Sequence, residues 1–191
     1  MGLALSTPAA FAGSILYVLH HMLVMSTLFL VSGLFLRQRR TTHLDALGGL
    51  YRAQPIVACL VLVPMFSLAG IPPLPGFVAK VAVVAPMMAA GRYLLTAVAL
   101  SVSLLTILSM ARLWEGAVWK PAPVRASSSA PQPPFGALIV APIALLAALT
   151  VAMTVLAGPA FRVTQHAAEQ LLDRDAYIHA VLGGEVQRAA R

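Results

Sequence analysis

The sequence predicts an all-α integral membrane protein with about five transmembrane helices, one helix break near residues 70–76 and a carboxy-terminal amphipathic helix. Three observations predict it. The composition is 60% hydrophobic and 10% charged, far from the balance of a soluble domain. The apolar residues gather into charge-free runs, 1–36, 93–111 and 135–161, and a helix needs roughly 20 such residues to cross a hydrocarbon core of about 30 Å. Between Arg52 and Arg92 lie 39 residues with a single formal charge, Lys80, interrupted at 70–76 by Gly-Ile-Pro-Pro-Leu-Pro-Gly. That stretch is too long for one span and reads as two helices.

The first span runs from about Ala9 to Leu36, with a polar centre of Tyr17, His20, His21, Ser26 and Thr27. Helical spacing puts Tyr17, His20 and His21 on overlapping faces. No basic residue precedes its apolar core, so it reads as a retained span rather than a signal peptide. Arg37, Arg39, Arg40 and Arg52 make the next loop the most basic, which favours the cytoplasm. Five crossings put Lys120 and Arg125 on the opposite side, which works against that orientation.

The second span covers Pro55 to Ala69, and the third begins near Pro75 with Lys80 in its first two turns. Pro86 removes a backbone hydrogen bond further along. Arg92 and Tyr93 mark a turn into a fourth span carrying Thr96, Ser101, Ser103, Thr106 and Ser109. Arg112, Trp114, Glu115 and Trp119 read as an interfacial anchor. Residues 1–119 thus form a block of four helices. Residues 120–134, with five prolines and three consecutive serines, read as a solvated linker. The fifth span occupies 135–158, ended by Gly158 and Pro159.

From 159 to 191 the pattern becomes amphipathic: Phe161, Ala167, Ala168, Leu171, Leu172 and Ile178 recur at helical spacing opposite Arg162, Gln165, Glu169 and Gln170. This tail lies on the membrane, on a partner or on its own protein, and Asp173 or Asp175 could cap a second short helix. No solenoid repeat is visible. An inverted-repeat transporter would show two breaks in matching halves, and only one is present.

The net charge of +7 falls in segments that flank apolar runs, so lipid headgroups explain it and nucleic acid is not expected as a partner. Cys59, the sole cysteine, has no internal disulfide partner and is expected to be inert packing. There is no nucleophile–base constellation, phosphate loop, Cys/His metal spacing or haem signature. Adjacent histidines on a helix diverge by about 100°, and neither has a third ligand at i+3 or i+4. The expectation is a protein that is not an enzyme and has no cofactor and no metal.

Lys80 is the strongest functional signal. An ammonium at bilayer depth costs roughly 2.5–3.5 kcal/mol on insertion scales, and broken backbone there is tolerated where protein or water satisfies it. Gly70, Pro72, Pro73 and Gly76 therefore point to a wet or protein-lined cavity. Low dielectric disfavours the charged amine and eases proton exchange. The competing reading is a lysine that snorkels to headgroups or neutralises a carboxylate on another protein of a complex. Its own helix offers none, since Gly76, Phe77, Val83 and Val84 occupy the neighbouring turns. His20 and His21 either relay protons with Ser26 and Thr27 or are neutral imidazoles bonded to a packed helix. The hydroxyls of the fourth span either line water or bond their own backbone.

Four segments carry a resemblance: Tyr17-Val-Leu-His-His-Met-Leu-Val-Met-Ser-Thr-Leu-Phe-Leu, Leu47-Gly-Gly-Leu-Tyr, Ser67-Leu-Ala-Gly-Ile-Pro-Pro-Leu-Pro-Gly-Phe-Val-Ala-Lys, and Ser103-Leu-Leu-Thr-Ile-Leu-Ser-Met-Ala-Arg-Leu-Trp. Together they resemble the antiporter-like subunits of Mrp-type cation/proton antiporters and respiratory complex I. The MrpD type is the nearest in look, and the tail Leu-Leu-Asp-Arg-Asp-Ala-Tyr-Ile from Leu171 is similar to it as well. Full members have about fourteen helices in two inverted half-repeats, and this chain resembles their last five. The resemblance implies Lys80 as the broken-helix lysine of a proton path and His20 or His21 as the preceding relay. Many relatives have a lysine where this chain has Met25, and a thioether carries no proton, so that step is absent or rerouted through His20, His21, Ser26 and Thr27.

The expected function is therefore the carboxy-terminal portion of a proton-translocating subunit of a sodium or potassium/proton antiporter. Its implied setting is a bacterial inner membrane, as a multi-pass chain among other membrane subunits. A non-conducting structural or assembly subunit is the first alternative. The membrane arm of a quinone-linked oxidoreductase is the second, and the MrpD-like tail argues against it.

Overall fold

A computed structural model describes residues 5, 7–39, 43, 44, 47–121, 135–173 and 178. Its helices are α1 (Pro8–Arg39), the single turn α2 (Leu50–Ala53), α3 (Pro55–Ala69), α4 (Pro75–Ala89), α5 (Tyr93–Trp114), α6 (Ala137–Val155) and α7 (Ala157–Leu172). A π-helical turn, Glu115–Trp119, extends α5. Proline opens α1, α3 and α4, where its missing N–H is no loss, and the Thr7 hydroxyl accepts the Ala10 N–H as α1 starts. Among the described residues three helices are long and apolar enough to cross a membrane: Pro8–Arg37, Tyr93–Trp119 and Ala137–Val155.

The remaining two apolar helices, α3 and α4, have 15 residues each, or about 22 Å at 1.5 Å per residue, short of a full crossing. Contacts along α1 fix their direction. Gly13 abuts Ala82 of α4, His20 meets Ser67 at the end of α3, and Val31 and Leu34 cluster with Val57 and Val61 near its start. Both helices thus run in one direction, opposite to α1, and the segment between them offsets the chain without reversing it. The expected pair of separate crossings is instead one interrupted run alongside α1.

The ends agree. The Gly49 N–H donates to the Lys120 carbonyl at 2.6 Å, Tyr51 stacks on Trp119, and the Phe135 N–H donates to Gln54 Oε1. The start of α3, the end of the π turn and the start of α6 therefore share one end of the bundle. Gly48, with φ +126°, lets the chain pass against the carbonyls of Lys120 and Pro121. Lys120 consequently lies at the same end as Arg52, not opposite it, and the conflict in charge sidedness disappears. Arg125 lies outside the described residues.

The core at this end gathers Val31, Leu34, Phe35, Leu47, Leu50, Val57, Val61, Met65, Val118 and Ile143. Cys59 is exposed on the outer side of α3, contrary to the expected packing role, because the helix turns Val57, Ala58, Val61 and Met65 inward. Trp114 packs on Phe66 within the bundle, while Trp119 keeps an exposed terminal position. Gly158 and Pro159 do not stop a helix. The chain turns at Leu156, and they form the first turn of α7. That helix packs on α1, burying Thr164 and Ala168 but leaving Leu171 exposed. Most of the proposed linker and the suggested second short helix of the tail lie outside the described residues.

Sidedness can be tested with cysteines in a Cys59→Ser background. Arg52→Cys and Lys120→Cys should react with an impermeant maleimide from one side of the membrane and Arg92→Cys from the other. Labelling of positions 52 and 120 from opposite sides would contradict the interrupted run.

Candidate functional site

The break between α3 and α4 is built from backbone hydrogen bonds. Gly70 takes a left-handed conformation with φ +84°, which glycine adopts without steric cost. Its N–H donates to the carbonyls of Phe66 and Ser67, and the Ile71 N–H donates to Phe66. This is a Schellman closure of α3. Pro72 and Pro73, joined by a cis peptide, form the exposed part of the turn before Pro75 opens α4.

Lys80 reaches back over the break, and its Nζ donates to the Ala69 carbonyl at 2.7 Å. The ammonium thus sits at the carboxyl end of α3, where the helix dipole favours a cation. Among the described residues no carboxylate pairs with it. The half-buried side chain also lines a cavity of about 310 Å³ between α1, α4 and α5, together with Ser14, Tyr17, Val84, Ser103 and Thr106.

On the other side of the joint, His20 is 1% exposed and its Nε2 lies 2.8 Å from Ser67 Oγ. Among the described residues its buried Nδ1 has no hydrogen-bond partner, and neither has Nδ1 of His21. Tyr17 stacks on His21 with ring planes 13° apart. Gly76 makes the crossing close, since an added Cβ would overlap the Ser67 carbonyl and press on the His20 ring.

A family model described as NADH:quinone oxidoreductase/Mrp antiporter, transmembrane, matches residues 1–106. The chain belongs to that family. It is 39% identical over 95% of its length to the D subunit of the Na(+)/H(+) antiporter of Alkalihalophilus pseudofirmus, and 35% identical over 95% to the same-named protein of Bacillus subtilis. It spans 36% of each of those relatives. Against solved structures it aligns with a chain of the Mrp complex from Dietzia sp. DQ12-45-1b at TM-score 0.84 and 30% identity, covering 95% of this chain and 41% of that one. The resemblance to a carboxy-terminal part of an MrpD-type protein holds.

Within this antiporter-family fold, the candidates divide. Lys80, Gly70, Gly76 and His20 converge on the joint, with His21 and Tyr17 on the adjoining face of α1. Thr27 is buried but donates to the Leu23 carbonyl of its own helix, and Ser26 faces outward. Neither reaches the joint. On α5, Thr96, Ser101, Thr106 and Ser109 likewise donate to carbonyls four residues back. Sequence reasoning passed over Ser67 as a site residue, although it is the sole hydroxyl residue of α3. The Ala69 carbonyl had no signal at all, because backbone carries none.

Gly70 can be compared with Gly91, which also has positive φ. A Cβ at Gly70 would lie 2.9–3.2 Å from Cδ, Nζ and Cε of Lys80, whereas nothing lies within 4 Å of one at Gly91. Gly91→Ala should cost about 1–2 kcal/mol from backbone strain alone. Gly70→Ala should lower the thermal midpoint further, because Lys80 must also move.

Proposed function

We propose that this chain is part of a proton-translocating membrane subunit of a multisubunit sodium or potassium/proton antiporter. Lys80 holds and releases the proton at the broken helix, and His20, with His21 beside it, relays it. The chain crosses a bacterial inner membrane four times, through α1, the interrupted α3–α4 run, α5 with its π turn, and α6. Its partners are other membrane subunits, the lipid bilayer, protons, and sodium or potassium ions.

The observation that carries this reading is the setting of Lys80. A lysine fixed by a carboxylate would be held charged. Here a neutral carbonyl and a helix dipole hold the ammonium, and both can be left without stranding a buried anion. The adjoining cavity gives room for water beside the amine. His20 lies on the opposite side of the same joint, through Ser67.

The antiporter branch is supported by identity of 39% over 95% of the chain to a protein named for Na(+)/H(+) exchange. The N subunit of F(420)H(2) dehydrogenase of Methanosarcina mazei is 32% identical over 74% of it. Lys80→Ala in the assembled complex should abolish cation-driven proton movement in everted vesicles while leaving assembly intact. Unchanged exchange with normal assembly would overturn the reading in favour of a structural role.

A further inference from the structure

Ser67 occupies the joint in three ways. Its hydroxyl holds His20 Nε2 at 2.8 Å. Its carbonyl accepts the Gly70 N–H that closes α3, and the same carbonyl abuts Gly76 at the start of α4. Two residues further on, the Ala69 carbonyl holds Lys80. Ser67 and His20 are both essentially inaccessible.

The ring has two nitrogens in unequal positions. Nε2 is engaged, whereas Nδ1 is buried and has no hydrogen-bond partner among the described residues. A hydroxyl can donate or accept. When Nε2 carries the hydrogen, Ser67 accepts, and Nδ1 presents a bare lone pair. When Nδ1 carries it, Ser67 must donate to Nε2, and a buried N–H is left unmatched. Each arrangement leaves one buried hydrogen unmatched among the described residues, the Ser67 O–H in the first and Nδ1–H in the second; the hydroxyl rotates to suit its surroundings whereas the ring N–H is fixed in the ring plane, so the first arrangement is the resting one. A proton can then bind at Nδ1 and leave from it while Nε2–H stays on Ser67 throughout.

We propose that Ser67 is a positioning residue for His20: its hydroxyl engages Nε2, fixes the neutral tautomer, and leaves Nδ1 as the one ring atom that exchanges protons with the pathway. The titratable neighbours of the ring are Tyr17 and His21 on α1 and Lys80 on α4. Neither Ala nor Gly at position 67 could provide the contact. A threonine could, because it keeps the hydroxyl.

This inference rests on the proton-path reading above, so the test separates the two. The assembled complex is labelled with ¹⁵N-histidine, and the His20 signals are assigned by their loss in His20→Gln. The parent should show His20 as the Nε2–H tautomer. Ser67→Ala should shift it to a mixture or to the Nδ1–H form and slow exchange about fivefold, the scale of one ordinary hydrogen bond. Ser67→Thr should restore both. Unchanged His20 signals in Ser67→Ala, or a parent already in the Nδ1–H form, would overturn the role of Ser67 even if Lys80→Ala abolishes exchange. Full exchange in Lys80→Ala would overturn the proton-path reading itself, whatever the His20 spectrum shows.

Discussion

The closure of the carboxyl end of α3 is the interaction on which the rest of the structure depends. A helix end inside a bilayer leaves carbonyls that water cannot reach, and each unsatisfied group costs several kcal/mol. Gly70 and Ile71 supply N–H groups for Phe66 and Ser67, and Lys80 supplies its ammonium for Ala69. The break and the lysine are therefore one device. The charge that a bilayer disfavours satisfies the backbone that a bilayer disfavours equally.

Two small residues let this device sit against α1. Gly76 allows the last turn of α3 and the first turn of α4 to meet, and Gly13 allows α1 to lie against Ala82. Close approach by small residues is how membrane helices associate where hydrophobic driving force is weak. It brings His20 to Ser67 and places the histidine pair on the side of α1 that faces the break. The polar groups that do not take part illustrate the same economy. Thr27 and most hydroxyls of α5 bond to carbonyls of their own helices, so their burial or position needs no partner on another helix.

The direction of the interrupted run decides how charge is arranged across the bundle. Because α3 and α4 continue in one sense, the π turn after α5 returns to the start of α3, and Lys120 joins Arg52 at one end. A single crossing more or fewer would have divided these cations between two surfaces. Arg52 and Lys120, at the end of the π turn, thus share one end of the bundle, which suits anionic headgroups.

Composition and run length determined by themselves that the chain is helical and membrane-embedded, and the Gly/Pro cluster located the break to within a residue, because glycine and proline act on their own backbone. Lys80 stood out for a similar local reason: a charge within an apolar run is costly wherever the run goes. The number of crossings was not legible, since two helices of 15 residues joined by a turn look alike whether the turn reverses or merely offsets the chain. Only packing against α1 shows that the two helices run in one direction. The facing of Cys59 and the point where α6 gives way to α7 depend in the same way on neighbours far along the chain. The partners at the joint were also tertiary. Nothing in the sequence pairs His20 with Ser67, 47 residues away, and a backbone carbonyl such as that of Ala69 leaves no mark in any sequence, so the group that holds Lys80 could be found only in the fold.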